Sequence, residues 1–175
     1  MKGRKILILG GARSGKSRFA LQLGEKIPGK KAFLATCPPS DPEMKERIAQ
    51  HQRERGASWV AVEAFSHLEE EIRKREGEWD LLLIDCLTLW LSNWMMKELK
   101  EGEIREKIAG LKKAIQQSAA HVLMVSNEVG MGVVPSSSMG RDFRDLQGFL
   151  NQEIAAIADE VYLTAAGIPI RIKPV

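Results

Sequence analysis

An apolar run, Ile6-Leu7-Ile8-Leu9, breaks into Gly10-Gly11-Ala12-Arg13-Ser14-Gly15-Lys16-Ser17, and a helix-prone stretch follows. The octet fits G-x-x-x-x-G-K-[ST] in full, with a strand signal before it and a helix signal after it. No other feature constrains the chain as strongly. The glycines let successive backbone N–H groups turn inward onto phosphate oxygens. The helix N-terminus adds free donors and a favourable dipole. The motif therefore predicts a nucleotide phosphate site. Lys16 is expected to reach the β- and γ-phosphates, and Ser17 to ligate Mg²⁺.

The rest of the chain reads as alternating strands and helices. Short apolar runs at Ile6–Leu9, Lys31–Thr36, Leu81–Asp85 and Val122–Ser126 suit buried parallel strands, and Trp59–Glu63 adds a short alternating one. Helical spacing covers Ser17–Lys26, a stretch from Ser40 or Asp41 to Arg55, Ser66–Glu76, Leu87–Lys100, Glu103–Ser118 and Ser138–Ala158, with a hinge expected at Gly102. Val161–Thr164 and Ile168–Lys173, split by Ala165-Ala166-Gly167, read as a closing hairpin. The pattern predicts a single α/β domain over residues 1–175 with a P-loop fold. Its mostly parallel sheet has helices on both faces and a C-terminal antiparallel hairpin.

Composition narrows the function. The net charge of +3 on 175 residues suits small anionic ligands and argues against a nucleic-acid partner. No stretch is long and apolar enough for a membrane span, and the start of the chain lacks a leader pattern. Cys37 and Cys86 form no CxxC and read as reduced thiols, so a cytoplasmic protein is expected.

Asp85 closes the LLLID strand, where a carboxylate faces the ligand crevice. Holding Mg²⁺ is favoured over capping the helix that follows. Met44, Ile48 and His51 share one helical face, flanked by Arg47, Arg53 and Arg55. From spacing alone His51 is a histidine packed at the core edge. Its alternative role is a nucleophile that attacks phosphorus and divides one transfer into two. His67 and His121 read as structural or surface residues. Glu63 ends its strand and is either a ribose or base contact or a polar strand end, and Asn127-Glu128 fall at the same sheet edge as Asp85. The stripe Leu87, Trp90, Leu91, Trp94 and Met95 reads as core or subunit interface rather than ligand pocket, with core favoured.

Several blocks go beyond a generic phosphate loop. They are GGARSGKSR at Gly10–Arg18, Ala35-Thr36, D-x-E-M-x-x-R-I-x-x-H from Asp41 to His51, W-x-x-V-E at Trp59–Glu63 and DCLT at Asp85–Thr88. SNEVGMGVVP follows at Ser126–Pro135, then R-x-F-R-D at Arg141–Asp145, G-x-x-N-Q at Gly148–Gln152, ADEV at Ala158–Val161 and GIPIRIK at Gly167–Lys173. With these the chain resembles the bifunctional adenosylcobinamide kinase / adenosylcobinamide-phosphate guanylyltransferase family of cobalamin biosynthesis, from Ile6 to Lys173. It departs from that family's pattern at Gly56, where many relatives carry proline, and at the Cys37-Pro38-Pro39 turn.

The resemblance implies a RecA-like sheet and two reactions. ATP or GTP phosphorylates the aminopropanol hydroxyl of adenosylcobinamide. GTP then donates GMP to adenosylcobinamide phosphate through a covalent histidine, giving adenosyl-GDP-cobinamide and pyrophosphate. On this resemblance His51 is the nucleophile and Lys16 the other catalytic residue. Nucleotide binding falls to Gly10–Ser17, Ala35, Thr36, Cys37, His51, Gln52, Arg53, Glu54, Glu63 and Asp85, and Mg²⁺ to Ser17 and Asp85. A homotrimer is implied as well, which would give the Trp90/Trp94 stripe a partner to bury against. A kinase for another hydroxylated metabolite would need no histidine nucleophile. A nucleotide-dependent switch would carry a basic patch or an added reader domain.

Overall fold

The computed structural model describes residues 3–39, 46, 49, 53 and 58–174. Seven strands form one sheet: β1 (Lys5–Gly10), β2 (Lys31–Ala35), β3 (Trp59–Glu63), β4 (Leu81–Asp85), β5 (His121–Asn127), β6 (Glu160–Ala165) and β7 (Ile168–Lys173). Their order is β3-β2-β4-β5-β1-β6-β7. Six run parallel, and β7 returns antiparallel to β6. The described helices are α1 (Lys16–Glu25), α2 (Leu68–Lys74), α3 (Leu87–Met95), α4 (Glu101–Gln117) and α5 (Ser138–Ile157).

The continuous apolar strands follow from burial on both faces. Successive side chains point to opposite sides of a sheet. Ile6 and Ile8 therefore pack with Phe33, Leu83 and Ala20 of α1 on one side. Leu7 and Leu9 pack on the other with Leu34, Ile84, Trp90, Leu111 and Leu150, beneath α2 to α5. Every β1 residue is buried, which fixes the strand that feeds the phosphate loop. The expected strands, hairpin and two-sided helix cover are all present. Ala166 and Gly167 form the hairpin turn with φ of 51° and 81°, the left-handed pair a two-residue hairpin needs.

One boundary is corrected. The expected hinge at Gly102 is not there, because α3 ends at Met95 and Gly102 lies in the first turn of α4. The break falls on Met96–Lys100, where Glu98 takes φ 57°. Glu103 then fixes the start of α4, its carboxylate accepting the Lys100 N–H at 2.9 Å. The helix expected from Ser40 or Asp41 to Arg55 falls largely outside the described residues, although Glu46, Ala49 and Arg53 are helical.

Candidate active site

The sheet register gathers the predicted residues along one edge. Glu63 lies opposite Ala35, Ala35 opposite Asp85, and Asp85 opposite Val125. Gly10 lies opposite both Asn127 and Thr164. Four strand spacings, roughly 19 Å, separate Glu63 from Gly10. This is the C-terminal edge of the parallel strands, where α/β sheets bind ligands.

The phosphate loop is held from two sides. A side chain at Gly10 would collide with the Thr164 carbonyl at 2.4 Å, so β6 admits only glycine there. From the hairpin turn, the Gly167 N–H donates to the Ser14 carbonyl at 2.9 Å. Gly15 takes φ 94°, and a Cβ on it would lie 3.1 Å from the Gly167 Cα. α1 begins there without a side-chain cap, which leaves its first amides suited to an anion. Ser17 stands half-buried in its first turn, and Gly11, Ala12 and Arg13 are exposed. The Ser14 hydroxyl is buried with no hydrogen-bond partner among the described residues.

Lys16 is buried, and its ammonium donates to the Gly11 carbonyl at 2.6 Å. Burial pulls its pKa below the usual lysine value, while Cys86 and Asp85 oppose that shift. Lys16 and Asp85 are thus close enough to interact. The Cys86 thiol is pushed up to about 12, first by burial and then by the Asp85 carboxylate, so it stays protonated. Cys37 is half-buried, and its thiol lies 3.6 Å from the Pro38 carbonyl. Both cysteines are free thiols.

Thr36 is fully buried. Its hydroxyl donates to the Cys86 carbonyl and accepts the Cys86 N–H, both at 2.7 Å. That side chain is committed to holding the Asp85–Cys86 link against β2. The Asn93 amide donates to the Thr36 and Phe65 carbonyls at 2.8 and 2.7 Å, tying α3 to the same edge. Glu63 and Arg53 are exposed. His51, Gln52 and Glu54 lie outside the described residues. His67 is on the surface, and His121 accepts the Arg4 N–H at 3.2 Å, as structural histidines do.

The family described as Cobinamide kinase / cobinamide phosphate guanyltransferase matches residues 6–172. The chain belongs to that family. It is 38% identical to the "Bifunctional adenosylcobalamin biosynthesis protein CobU" of Escherichia coli (strain K12), over 96% of this chain and 99% of that one. It is also 38% identical to the "Bifunctional adenosylcobalamin biosynthesis protein CobP" of Pseudomonas aeruginosa, over 95% of this chain and 96% of the relative. The fold extends further. A RadB recombinase structure superposes with a TM-score of 0.52 at 15% identity, over 93% of this chain and 74% of that one. The expected RecA-like P-loop architecture is borne out, and the chain is a bifunctional cobinamide kinase and cobinamide phosphate guanylyltransferase of cobalamin biosynthesis.

Within this family member the structure adds residues that spacing did not single out. Gln147 and Asn151 of α5 form a buried network with Ser126. The Gln147 amide donates to Ser126 Oγ at 2.9 Å, Ser126 donates to Asn151 Oδ1 at 2.7 Å, and Asn151 donates to the Asn127 carbonyl at 3.0 Å. Thr88 accepts the Asn127 N–H at 2.8 Å, and the Glu128 N–H donates to the Gly10 carbonyl at 3.0 Å. The signal available was polar residues on the buried stripe of an amphipathic helix. Gly167 was likewise legible only as a turn residue.

The tryptophan stripe is core, as expected, but its supposed dependence on a partner is corrected. Trp90 is 0% and Trp94 5% exposed within the single chain, beneath α4 and α5. Neither needs a second subunit to leave water.

Proposed function

We propose that both reactions run at the C-terminal sheet edge, on one nucleotide site. The observation that carries this reading is the convergence of the phosphate loop, Lys16 and Asp85 there, in a chain of this family. Gly10–Ser17 bind the polyphosphate through backbone N–H groups and the Ser14 hydroxyl. Lys16 leaves the Gly11 carbonyl for the β- and γ-phosphates. Ala35, Thr36, Cys37, Gln52, Arg53, Glu54, Glu63 and Asp85 complete the nucleotide site, Glu63 at the nucleoside end.

The donor set fits Mg²⁺. Ser17 and Asp85 offer hard oxygens, and no group of three or more acidic, histidine or cysteine side chains gathers among the described residues. Mg²⁺ is commonly held by one or two carboxylates together with substrate phosphates. When bound, it would neutralise charge on the transferred group.

In the kinase step the aminopropanol oxygen of adenosylcobinamide attacks the γ-phosphorus of ATP or GTP. The bond from that phosphorus to the β-bridging oxygen breaks, and the nucleoside diphosphate leaves. The hydroxyl proton passes to solvent. In the transferase step a neutral His51 nitrogen attacks the α-phosphorus of GTP and expels pyrophosphate. A phosphate oxygen of adenosylcobinamide phosphate then displaces the histidine, giving adenosyl-GDP-cobinamide. Imidazole is mostly neutral at cellular pH, its unperturbed pKa being about 6.5. We place the enzyme in the cytoplasm as a homotrimer.

The test uses α-labelled GTP with Mg²⁺ and no corrinoid. Wild type is expected to retain label after denaturation, acid-labile and base-stable as a phosphoramidate is, and His51→Ala to retain none. Unlabelled wild type that still binds nucleotide would exclude the covalent route and leave a kinase acting at the γ-phosphate alone.

A further inference from the structure

A groove of about 370 Å³ opens between the end of α3, the first turn of α4 and the first turns of α5. Met95 and Leu99 give it apolar side chains at the surface, with Ile104 and Leu146 buried behind them, and Glu101, Arg105, Asp142 and Asp145 give it its charged lining. Glu101 pairs with Arg105 at 2.8 Å and Asp145 with Arg144 at 3.1 Å. Asp142 makes neither a hydrogen bond nor an ion pair among the described residues. Arg105 and Arg144 thus neutralise Glu101 and Asp145, and the net negative charge of the groove rests on Asp142.

Its position ties it to the active site. Asn151 of α5 is bonded to Asn127 at the C-terminal end of β5. Helix residues advance about 1.5 Å each. The other end of α5 leads to Asp159, whose N–H donates to the Lys5 carbonyl at the opposite edge, so Asp142 and Asp145 lie toward the edge that carries the phosphate loop, about 13 and 9 Å along the helix from Asn151. They lie on the α2–α5 side of the sheet, across the edge from α1. Exposed apolar side chains gather on the same segments. Met96 is 74% exposed just after α3 and Met139 67% in the first turn of α5, while Met131 and Val133 protrude from the loop that leads into α5. Exposed apolar surface of this kind marks a binding face, and methionine adapts to an irregular ligand.

We propose that this groove docks one edge of the corrin macrocycle of the substrate, which rests on the kinase and guanylyltransferase reading above. A cobalt(III) corrin carrying one alkyl ligand is a cation whose rim alternates methyl groups with primary amides. The methyl groups match the apolar side chains. The positive charge matches the unpaired Asp142, and the amide N–H groups match carboxylate oxygens of Glu101, Asp142 and Asp145. A nucleotide meets repulsion from Asp142. The reacting hydroxyl hangs on a long flexible arm, so the ring must dock away from the phosphate loop while the arm reaches it. A groove at the same sheet edge but offset from the loop meets that need.

The experiment measures steady-state kinetics and equilibrium binding of adenosylcobinamide to the full chain, with Asp142→Asn, Asp142→Lys and Asp142→Asn/Asp145→Asn. The double variant should raise the KM for adenosylcobinamide about tenfold, the loss of charge-assisted hydrogen bonds. Asp142→Lys should raise it more than Asp142→Asn. The KM for ATP and the thermal midpoint should stay at wild-type values, which a merely structural role would not give. The proposal is overturned if wild type turns over adenosylcobinamide and the variants match it in KM. It is equally overturned if the variants change only the sedimentation mass, since the groove would then be a contact between copies of the chain. Absence of turnover by wild type would instead remove the functional reading on which the proposal rests.

Discussion

Lys16 shows how one side chain can work against the fold that holds it. It is 7% exposed, and burial lowers its pKa, so the folded state disfavours its charge. A group whose folded pKa lies below its unfolded value destabilises the fold while it is charged in both states, and that penalty fades as pH rises from the folded value to the unfolded one. Lys16→Met should therefore abolish phosphoryl transfer without lowering the thermal midpoint, and any gain should shrink toward pH 10. A clear fall in midpoint at neutral pH would contradict this account. Gly167 supports the loop in a different way, through its N–H on Ser14 and its φ of 81°. Gly77 has nearly the same φ, 82°, but open space around it. Gly167→Ala and Gly77→Ala should each cost about 1 kcal/mol from backbone strain. Only Gly167→Ala should also raise the KM for nucleotide, which kinetics on the two variants would separate.

At the scale of elements, Glu25 joins the end of α1 to two strands. Its carboxylate accepts from Lys31 at 2.9 Å, Trp59 Nε1 at 2.6 Å and Ser58 at 3.2 Å. These bonds, Lys31 first and then Trp59, hold its pKa below the ordinary glutamate value. Glu25 is half-exposed, so solvent screening limits Glu25→Ala to a loss of about 1 kcal/mol. A depressed carboxylate stabilises above its unfolded pKa and loses that effect as pH falls through the folded one. The difference from wild type should be full at pH 7 and disappear in the acid range below pH 4.5, followed by urea unfolding at each pH. The α3–α4 break makes a related point. The glycine at position 102 suggested a hinge, yet the turn is set by the left-handed Glu98 and the Glu103 cap.

Over the whole molecule, α5 is wired to the phosphate loop through the core. Asn151 and Gln147 hold Ser126 and Asn127, and the next residue, Glu128, donates to Gly10. Asn151→Ala would leave Ser126, Gln147 and the Asn127 carbonyl short of partners. It should destabilise the chain by about 2–3 kcal/mol in urea unfolding. A loss below about 0.5 kcal/mol would mean that water replaces the amide freely. The sequence alone determined much of this protein. The phosphate loop, the continuous apolar strands, the Gly167 turn and the core assignment of the tryptophan stripe were legible because each depends on neighbours a few residues away. The strand-end placement of Asp85 and Asn127 at one edge was legible too, but the specific contacts between distant parts of the chain were not. Spacing could not tell that the hairpin turn rests on the Ser14 carbonyl, that Thr36 grips Cys86, or that Trp90 and Trp94 are buried without a partner. Those contacts arise only when the parallel register brings the strand ends to one edge and α3 to α5 close over one face, a matter of tertiary packing that no local pattern encodes.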